Sequence, residues 1–178
     1  ELADSYDRPC VFLQIQYTAG LDGNNVLVLK EHDVRIITDL MMGGNGEVND
    51  DEPIGELHLS AIGEAMNQMM GSAATSMSSM LGKKIDISPP VANLIDLNVK
   101  QDENNLPEFL NTKFVKVAFR MTIGNLIDSE IMQLYPFDFA RNLYEVFALG
   151  MQDNSDNVAT STPSEKAAQP AAEQPSAA

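Results

Sequence analysis

Residues 56–90, ELHLSAIGEAMNQMMGSAATSMSSMLGKKIDISPP, admit one long helix and then a stop. Leu59, Ile62, Met66, Met69, Met70, Ala73, Met77, Met80 and Leu81 recur at three- and four-residue steps. At ~100° per residue they fall within a stripe of about 120°, which has to face a core. Ser60, Glu64 and Asn67, at i, i+4 and i+7, share a second face beside that stripe. Gly71, Ala74, Thr75 and Ser78 carry this second face onward without bulk. A helix displaying a carboxylate and a carboxamide next to small residues is shaped to let another protein come close. Gly82 is placed to end the helix as a left-handed cap, and Lys83 and Lys84 favour the negative end of its dipole. A short strand, Ile85–Ile87, then runs into Pro89-Pro90, where strand pairing has to stop.

Length and charge bound what such a helix can belong to. With 178 residues the chain can build one sizeable core and hardly two. Its formal net charge of −15 argues against binding nucleic acid through phosphates and suits a basic partner or simple solubility. The single cysteine, Cys10, excludes an internal disulfide and fits a reducing, cytoplasmic compartment. It begins a strand with no base nearby and reads as core. No apolar run is long enough to insert in a membrane, and no secretory signal opens the chain. Position 1 is Glu rather than Met, as expected of a fragment or a processed chain. His32 and His58 lack metal-like spacing with other ligands, so no metal site is expected. The methionines read as core packing.

The remaining elements follow from periodicity and turn formers. Val11, Leu13, Ile15 and Tyr17 alternate with Phe12, Gln14 and Gln16 as a strand. Gly20–Asn25 is a turn and Val26–Leu29 a second strand, so residues 10–31 form a hairpin. A short helix is expected over 33–42, with Asp33 as N-cap and Gly43-Gly-Asn-Gly46 ending it. The acidic loop Glu47–Glu52 leads to Pro53, which suits the first turn of the long helix. Val91–Val99 reads as extended, residues 100–112 as a polar connector, and Val115, Val117, Phe119 and Met121 as a strand. Gly124-Asn125 turns the chain, Glu130–Tyr135 returns, and Pro136 opens a last helix ending at Gly150. Residues 151–178, rich in Ala, Ser, Pro, Gln and Asp, cannot bury enough surface to fold and read as a disordered tail or linker.

An internal repeat organises these elements. Val11, Thr18 and Gly20 match Val115, Thr122 and Gly124, 104 positions on; Leu29 and Asp33 match Leu134 and Asp138, 105 positions on. Both copies run strand, turn, strand, helix. The long helix precedes the second copy, so an equivalent helix is expected before the first, ahead of residue 1. The chain then reads as a duplicated domain cut inside its first half.

Ser60, three residues, Glu64, two residues, Asn67, then 21 residues to Pro89 or 22 to Pro90, resembles the phosphatase motif of the CheC, CheX and FliY family. The context GEAMNQMMGSAATSMSSML is similar to the flagellar motor-switch members of that family, and the likeness covers roughly residues 10–150. The resemblance implies a pseudo-two-fold α/β fold of the α+β kind, with a central sheet and a long helix carrying the site, here truncated in its N-terminal half. It places residues 1–150 in that domain and likens 151–178 to a linker. A docking peptide for the phosphorylated regulator and a first active-site helix, both expected in the family, have no counterpart in the sequence.

The resemblance also implies the substrate, the phospho-aspartate of the response regulator CheY, at the flagellar motor switch. Asn67 is expected to place a water in line with the scissile bond. Glu64 is expected to pair with the regulator's lysine, with Ser60 at the rim and Pro89 shaping the loop. No cofactor of the chain's own is implied, because Mg²⁺ comes with the phosphorylated regulator. Gly43-Gly44-x-Gly46 is ordinarily a flexible turn. It also resembles the GGxG loop by which switch proteins contact FliG. The alternative reading is therefore a non-catalytic module of the switch ring. Glu64 and Asn67 favour catalysis, since the non-enzymatic relative FliM lacks the pair. In either case the chain is expected to be cytoplasmic and peripheral at the base of the motor.

Overall fold

The computed structural model of the chain describes residues 9–96 and 108–156. It is an α+β fold whose six strands form one antiparallel sheet. In chain order the elements are β1 (Cys10–Ala19), β2 (Asn24–Lys30), α1 (Glu31–Met41), α2 (Glu56–Leu81), β3 (Asp86–Ile87), β4 (Val91–Ile95), β5 (Phe114–Ile123), β6 (Ile127–Pro136) and α3 (Phe137–Asp156). A 3-10 turn, Glu108–Asn111, precedes β5. The expectations for 1–8, 97–107 and 157–178, including most of the connector and the tail, lie outside the described residues.

The sheet runs β1-β2-β6-β5, with β2 and β6 paired antiparallel at its middle. The two strand–strand–helix units thus meet through their second strands, the order a pseudo-two-fold arrangement requires. Residue equivalence is less regular than the order of elements. Leu29 belongs to the cluster beneath α2, whereas Leu134 belongs to the cluster on the opposite face. A spacing of 105 therefore matches residues that point opposite ways, because an odd slip flips a strand's faces.

β1 has a partner on each side. Its Cys10–Gln16 segment pairs with β2, and its other edge takes β4 and β3 in succession, Gln14 opposite Val91 and Tyr17 opposite Ile87. β3 and β4 are two lengths of a single edge strand, interrupted by Ser88-Pro89-Pro90. The Ser88 N–H still reaches Gln16 O at 2.8 Å. Prolines cannot donate to a ladder, so an interruption on an outer edge is where a pair of them can be held.

Two cores sandwich the sheet. Val11, Leu13, Ile15, Leu27 and Leu29 pack under Ile62, Met66 and Met70 of α2. On the other face Cys10, Phe12, Val26, Val28, Met132 and Leu134 pack with Phe109, Leu110 and Phe114. This double burial explains the near-continuous apolar runs Val11–Leu13 and Val26–Leu29. Gln14 and Gln16 are exposed, so only the second half of β1 alternates. Burial pushes the Cys10 thiol up to about 12, with Asp96 and Glu31 adding to the effect, and its Sγ donates to Ile95 O.

Several local expectations are corrected. α1 begins at Glu31 with Lys30 in the N-cap position, and Asp33 is a buried residue of the helix rather than its cap. α2 begins at Glu56, so Pro53 lies before its first turn. Its buried residues are Ile62, Met66, Met70 and Ala74. Ala74, read as part of the approachable face, packs with Tyr17, Ile85 and Phe139. Met69 lies at the stripe's other border and is exposed to a groove, while Met80, near the helix end, is 52% exposed. α3 runs through Gly150 to Asp156. The groove, about 560 Å³, lies between α2 and the β5–β6 hairpin, with Met69, Ala73, Met77, Phe119 and Met121 on its walls.

The acidic loop 47–52 is tied back to α1. Arg35, almost wholly buried, donates from Nε and Nη2 to Glu52 O at 3.0 and 2.6 Å, and His32 Nδ1 lies 2.6 Å from Asp50 Oδ1.

Two outcomes follow from this packing. Ile62→Ala should cost about 2–5 kcal/mol of unfolding free energy, while Met80→Ala stays within about 0.5 kcal/mol; urea melts of the two variants check this. Cys10 should resist thiol reagents at pH 8 until the chain unfolds. Burial raises its folded pKa from the ordinary thiol value of 9.0, so the unfolded chain ionises first. The contribution of Cys10 to stability is then whole below pH 9 and falls as the pH climbs towards 12.

Candidate functional site

α2 is built to hold its side chains at fixed angles. Gly55 enters it in an extended conformation, and the Gly55 N–H donates to His58 Nδ1 at 3.2 Å, while Leu59 N–H donates to Gly55 O. Ser72, Thr75, Ser76 and Ser79 turn their hydroxyls back to the carbonyl four residues earlier, which satisfies them on the helix itself. Gly82 ends the helix at φ 60°, ψ 23°, the left-handed cap expected of it. Ser78, read from the sequence only as small, has a structural duty. Its Oγ accepts the Ile85 N–H at 2.8 Å and lies 2.8 Å from Ala74 O, pinning the turn into β3.

Ser60, Glu64 and Asn67 lie on one side of α2 and line one cleft. Ser60 and Glu64 are exposed and Asn67 is half-buried. Asn67 is only about 20° round the helix from the core residue Ala74, which accounts for the difference. Pro89, Pro90, Val91 and Ala92 form the opposite wall, and the space between is about 420 Å³. The motif residues, separated by more than twenty positions in the chain, are thus brought together by the interrupted strand along β1. Gly63 keeps the cleft floor low: a Cβ there would meet Pro90 O at 3.8 Å, an ordinary contact.

Glu64 Oε1 accepts from Gln68 Nε2 at 3.0 Å, which leaves Oε2 for a partner. Among the described residues no lysine or arginine pairs with Glu64, and nothing hydrogen-bonds the Asn67 carboxamide. A carboxylate with one oxygen still open and a carboxamide on the same rigid face can receive a cation and orient a small polar molecule. Gln68, Val91 and Ala92 were not singled out in the sequence. Gln68 sits four residues after Glu64 and was readable from helical spacing; the other two required the strand pairing. Among the described residues no group of three or more His, Cys, Asp or Glu could hold a metal ion.

The glycine loop is elsewhere. Gly43 and Gly46 adopt φ +88° and +84°. Gly43 faces open space; a Cβ on Gly44 would collide with the Asp39 carboxylate; one on Gly46 would lie 2.6 Å from Leu126. The loop is held by contacts, and its three glycines answer three different demands. It borders a second cleft with Met42, Glu47 and Leu57, which shares no lining residue with the first.

The chain has relatives among known proteins. The model of the CheC-like family matches residues 57–94, which hold α2, β3 and most of β4. The chain is 49% identical over 143 residues to the flagellar motor switch phosphatase FliY of Bacillus subtilis (strain 168), a match covering 80% of this chain and 37% of that protein. The chain therefore spans little more than a third of that relative's length. The crystal structure of Thermotoga maritima FliY superposes with a TM-score of 0.73 at 40% identity, covering 84% of this chain and 76% of that one. A FliG–FliM complex from H. pylori matches at TM-score 0.52 and 18% identity, covering 75% and 68%, a likeness of fold alone.

Gly71 lies on the site-bearing helix with no atom within 4 Å of where a Cβ would be. Gly71→Ala should therefore raise stability by about 0.5–1 kcal/mol through helix propensity. The urea midpoint measures it, and a fall in that midpoint would show that the space beside Gly71 is already filled.

Proposed function

The chain belongs to the CheC-like family, and from that premise we propose that it carries the catalytic helix of a protein aspartyl-phosphate phosphatase acting on the response regulator CheY. The observation that carries this reading is that Glu64 and Asn67 line one cleft facing the Pro89-Pro90 wall, with neither side chain engaged by a charged group among the described residues. Family membership and the name of the Bacillus subtilis relative, a motor switch phosphatase, support it.

The chemistry asked of the chain is modest. The regulator's own pocket holds Mg²⁺ against the acyl phosphate, so α2 needs only to bring a water into line with the scissile P–O bond. The Asn67 carboxamide oxygen accepts a hydrogen bond from that water while its N–H₂ donates one to a phosphoryl oxygen, and the water's protons leave with the phosphate. Water adds to phosphorus as the aspartyl carboxylate leaves, giving inorganic phosphate and the free aspartate. Glu64 pairs with the regulator's lysine, which sets the register of the two proteins. Ser60 borders the contact, and the prolines set the height of the opposing wall. The site is proposed to work in the cytoplasm at the base of the flagellar motor.

A second contact, with FliG through the Gly43–Gly46 loop, is favoured by one observation. Gly43 presents open backbone at φ +88°, beside Met42, which is 66% exposed. Bound there, the chain would serve as a module of the switch ring whether or not it turns over substrate.

Asn67→Ala and Glu64→Ala should fail differently. A water-positioning group acts as the phosphoryl group transfers, so Asn67→Ala should lower kcat about 10²-fold or more with KM little changed. Glu64→Ala should also raise KM, and added salt should reproduce part of that rise in the parent. Phosphate release is followed with CheY kept phosphorylated by a small phosphodonor. Parental rates in both variants would leave the structural role alone standing.

A further inference from the structure

We infer that Asp39 is the positioning residue of the glycine loop, its carboxylate holding residues 43–46 in the one conformation that a partner can read. This rests on the proposed FliG contact and goes beyond it, since it names what gives the loop its shape. Asp39 lies in the last turn of α1 and is half-buried. Its Oδ2 accepts the Gly46 N–H at 2.8 Å, and its backbone oxygen accepts the Gly44 N–H at 2.8 Å. One residue thus closes the loop from both ends.

The glycines divide accordingly. Gly44 must lack a Cβ because the Asp39 carboxylate occupies that space. Gly46 is favoured by its φ of +84°, and Leu126, from the β5–β6 turn, lies over it. Gly46 is buried, and Gly44, though exposed, has its Cβ direction on the Asp39 carboxylate, so both serve the clasp. Gly43, with nothing near it, is the outward member, and it and Met42 form the surface offered to a partner. The Gly46 N–H bond to the carboxylate is charge-assisted and stronger than a neutral one, such as that from the Gly44 N–H to the Asp39 carbonyl. A loop so held presents its backbone without an ordering cost on binding.

The test uses this chain with Asp39→Ala, Asp39→Asn and Gly44→Ala. Amide hydrogen exchange at Gly46 reports the clasp, and calorimetric titration with FliG reports the contact. Asp39→Ala should speed Gly46 exchange about tenfold or more and weaken FliG binding by a similar factor. Asp39→Asn keeps an acceptor oxygen and should restore much of both. Gly44→Ala displaces the carboxylate and should reproduce Asp39→Ala, while adding little to it in the double variant. Gly44→Ala carries the experiment if Asp39→Ala does not fold. Unchanged Gly46 exchange in Asp39→Ala would overturn the clasp. Faster exchange with parental FliG affinity would overturn its role in the contact. A parent that does not bind FliG would remove the partner reading, and Gly46 exchange would still decide whether Asp39 shapes the loop.

Discussion

The pairing of β1 with the interrupted strand β3–β4 is the constraint on which the rest of the structure depends. β1 is buried on both faces near Cys10–Leu13 and has neighbours on both edges. Anything added to it beyond β2 must lie on its remaining edge, and only an outermost position tolerates two adjacent residues without N–H donors. The chain leaving α2 has that one place to go. Ser88 keeps one bond to Gln16, the prolines stand off the ladder, and Val91 resumes pairing. α2, pressed onto β1 and β2 by Ile62, Met66 and Met70, then has its Ser60–Asn67 side over the stand-off. The cleft is a by-product of strand pairing, and its residues meet because the sheet leaves them no alternative.

The buried line on α2 explains which side chains the cleft receives. Ile62, Met66, Met70 and Ala74 are spaced by four, and each step of four turns about 40° past a full revolution. The line therefore winds across the helix instead of running along it. It carries the core towards the Asn67 side and away from Met69. Ser60 and Glu64, further round, stay in solvent, and Asn67 is left at the border. A border position restricts a carboxamide's rotamers without engaging its polar atoms, which suits the water-orienting role proposed for Asn67. The same winding opens the groove against β5 and β6, where Met69, Phe119 and Met121 meet space rather than a packed partner.

Much of this was legible, and the parts that were not share a cause. The end of α2 at the Gly82 cap, both hairpins and the side-by-side placement of Ser60, Glu64 and Asn67 follow from local periodicity and turn chemistry. Family membership was legible from the motif. Asp33 was misread because an acidic residue ahead of an apolar run looks like a cap; the helix starts earlier, at Glu31, whose carboxylate lies 3.6 Å from Arg35 Nη2. Ala74 was misplaced because a small residue suits a close-packed core and an open face equally well. Leu29 and Leu134 look like counterparts in sequence and point to opposite faces, since identity carries no information on which side of a sheet a residue lies. β3 and β4 read as separate strands because their unity is visible only from β1. Each of these facts belongs to a neighbour in space and not to the neighbouring residues.

The two candidate surfaces illustrate different ways of fixing a functional group. At the cleft a long helix does it: backbone hydrogen bonds run past Glu64 and Asn67, and the packing of Ile62 and Met66 just beside them prevents rotation about the helix axis. Asn in a helix interior costs only a few tenths of a kcal/mol relative to Ala, so the scaffold carries this face at little expense. At the glycine loop no regular element is available, and the shape depends on a carboxylate, a leucine and two missing side chains. A helix tolerates change at any one exposed position. A clasp made from single contacts does not, so the loop should be the more fragile of the two surfaces even though nothing in it is chemically reactive.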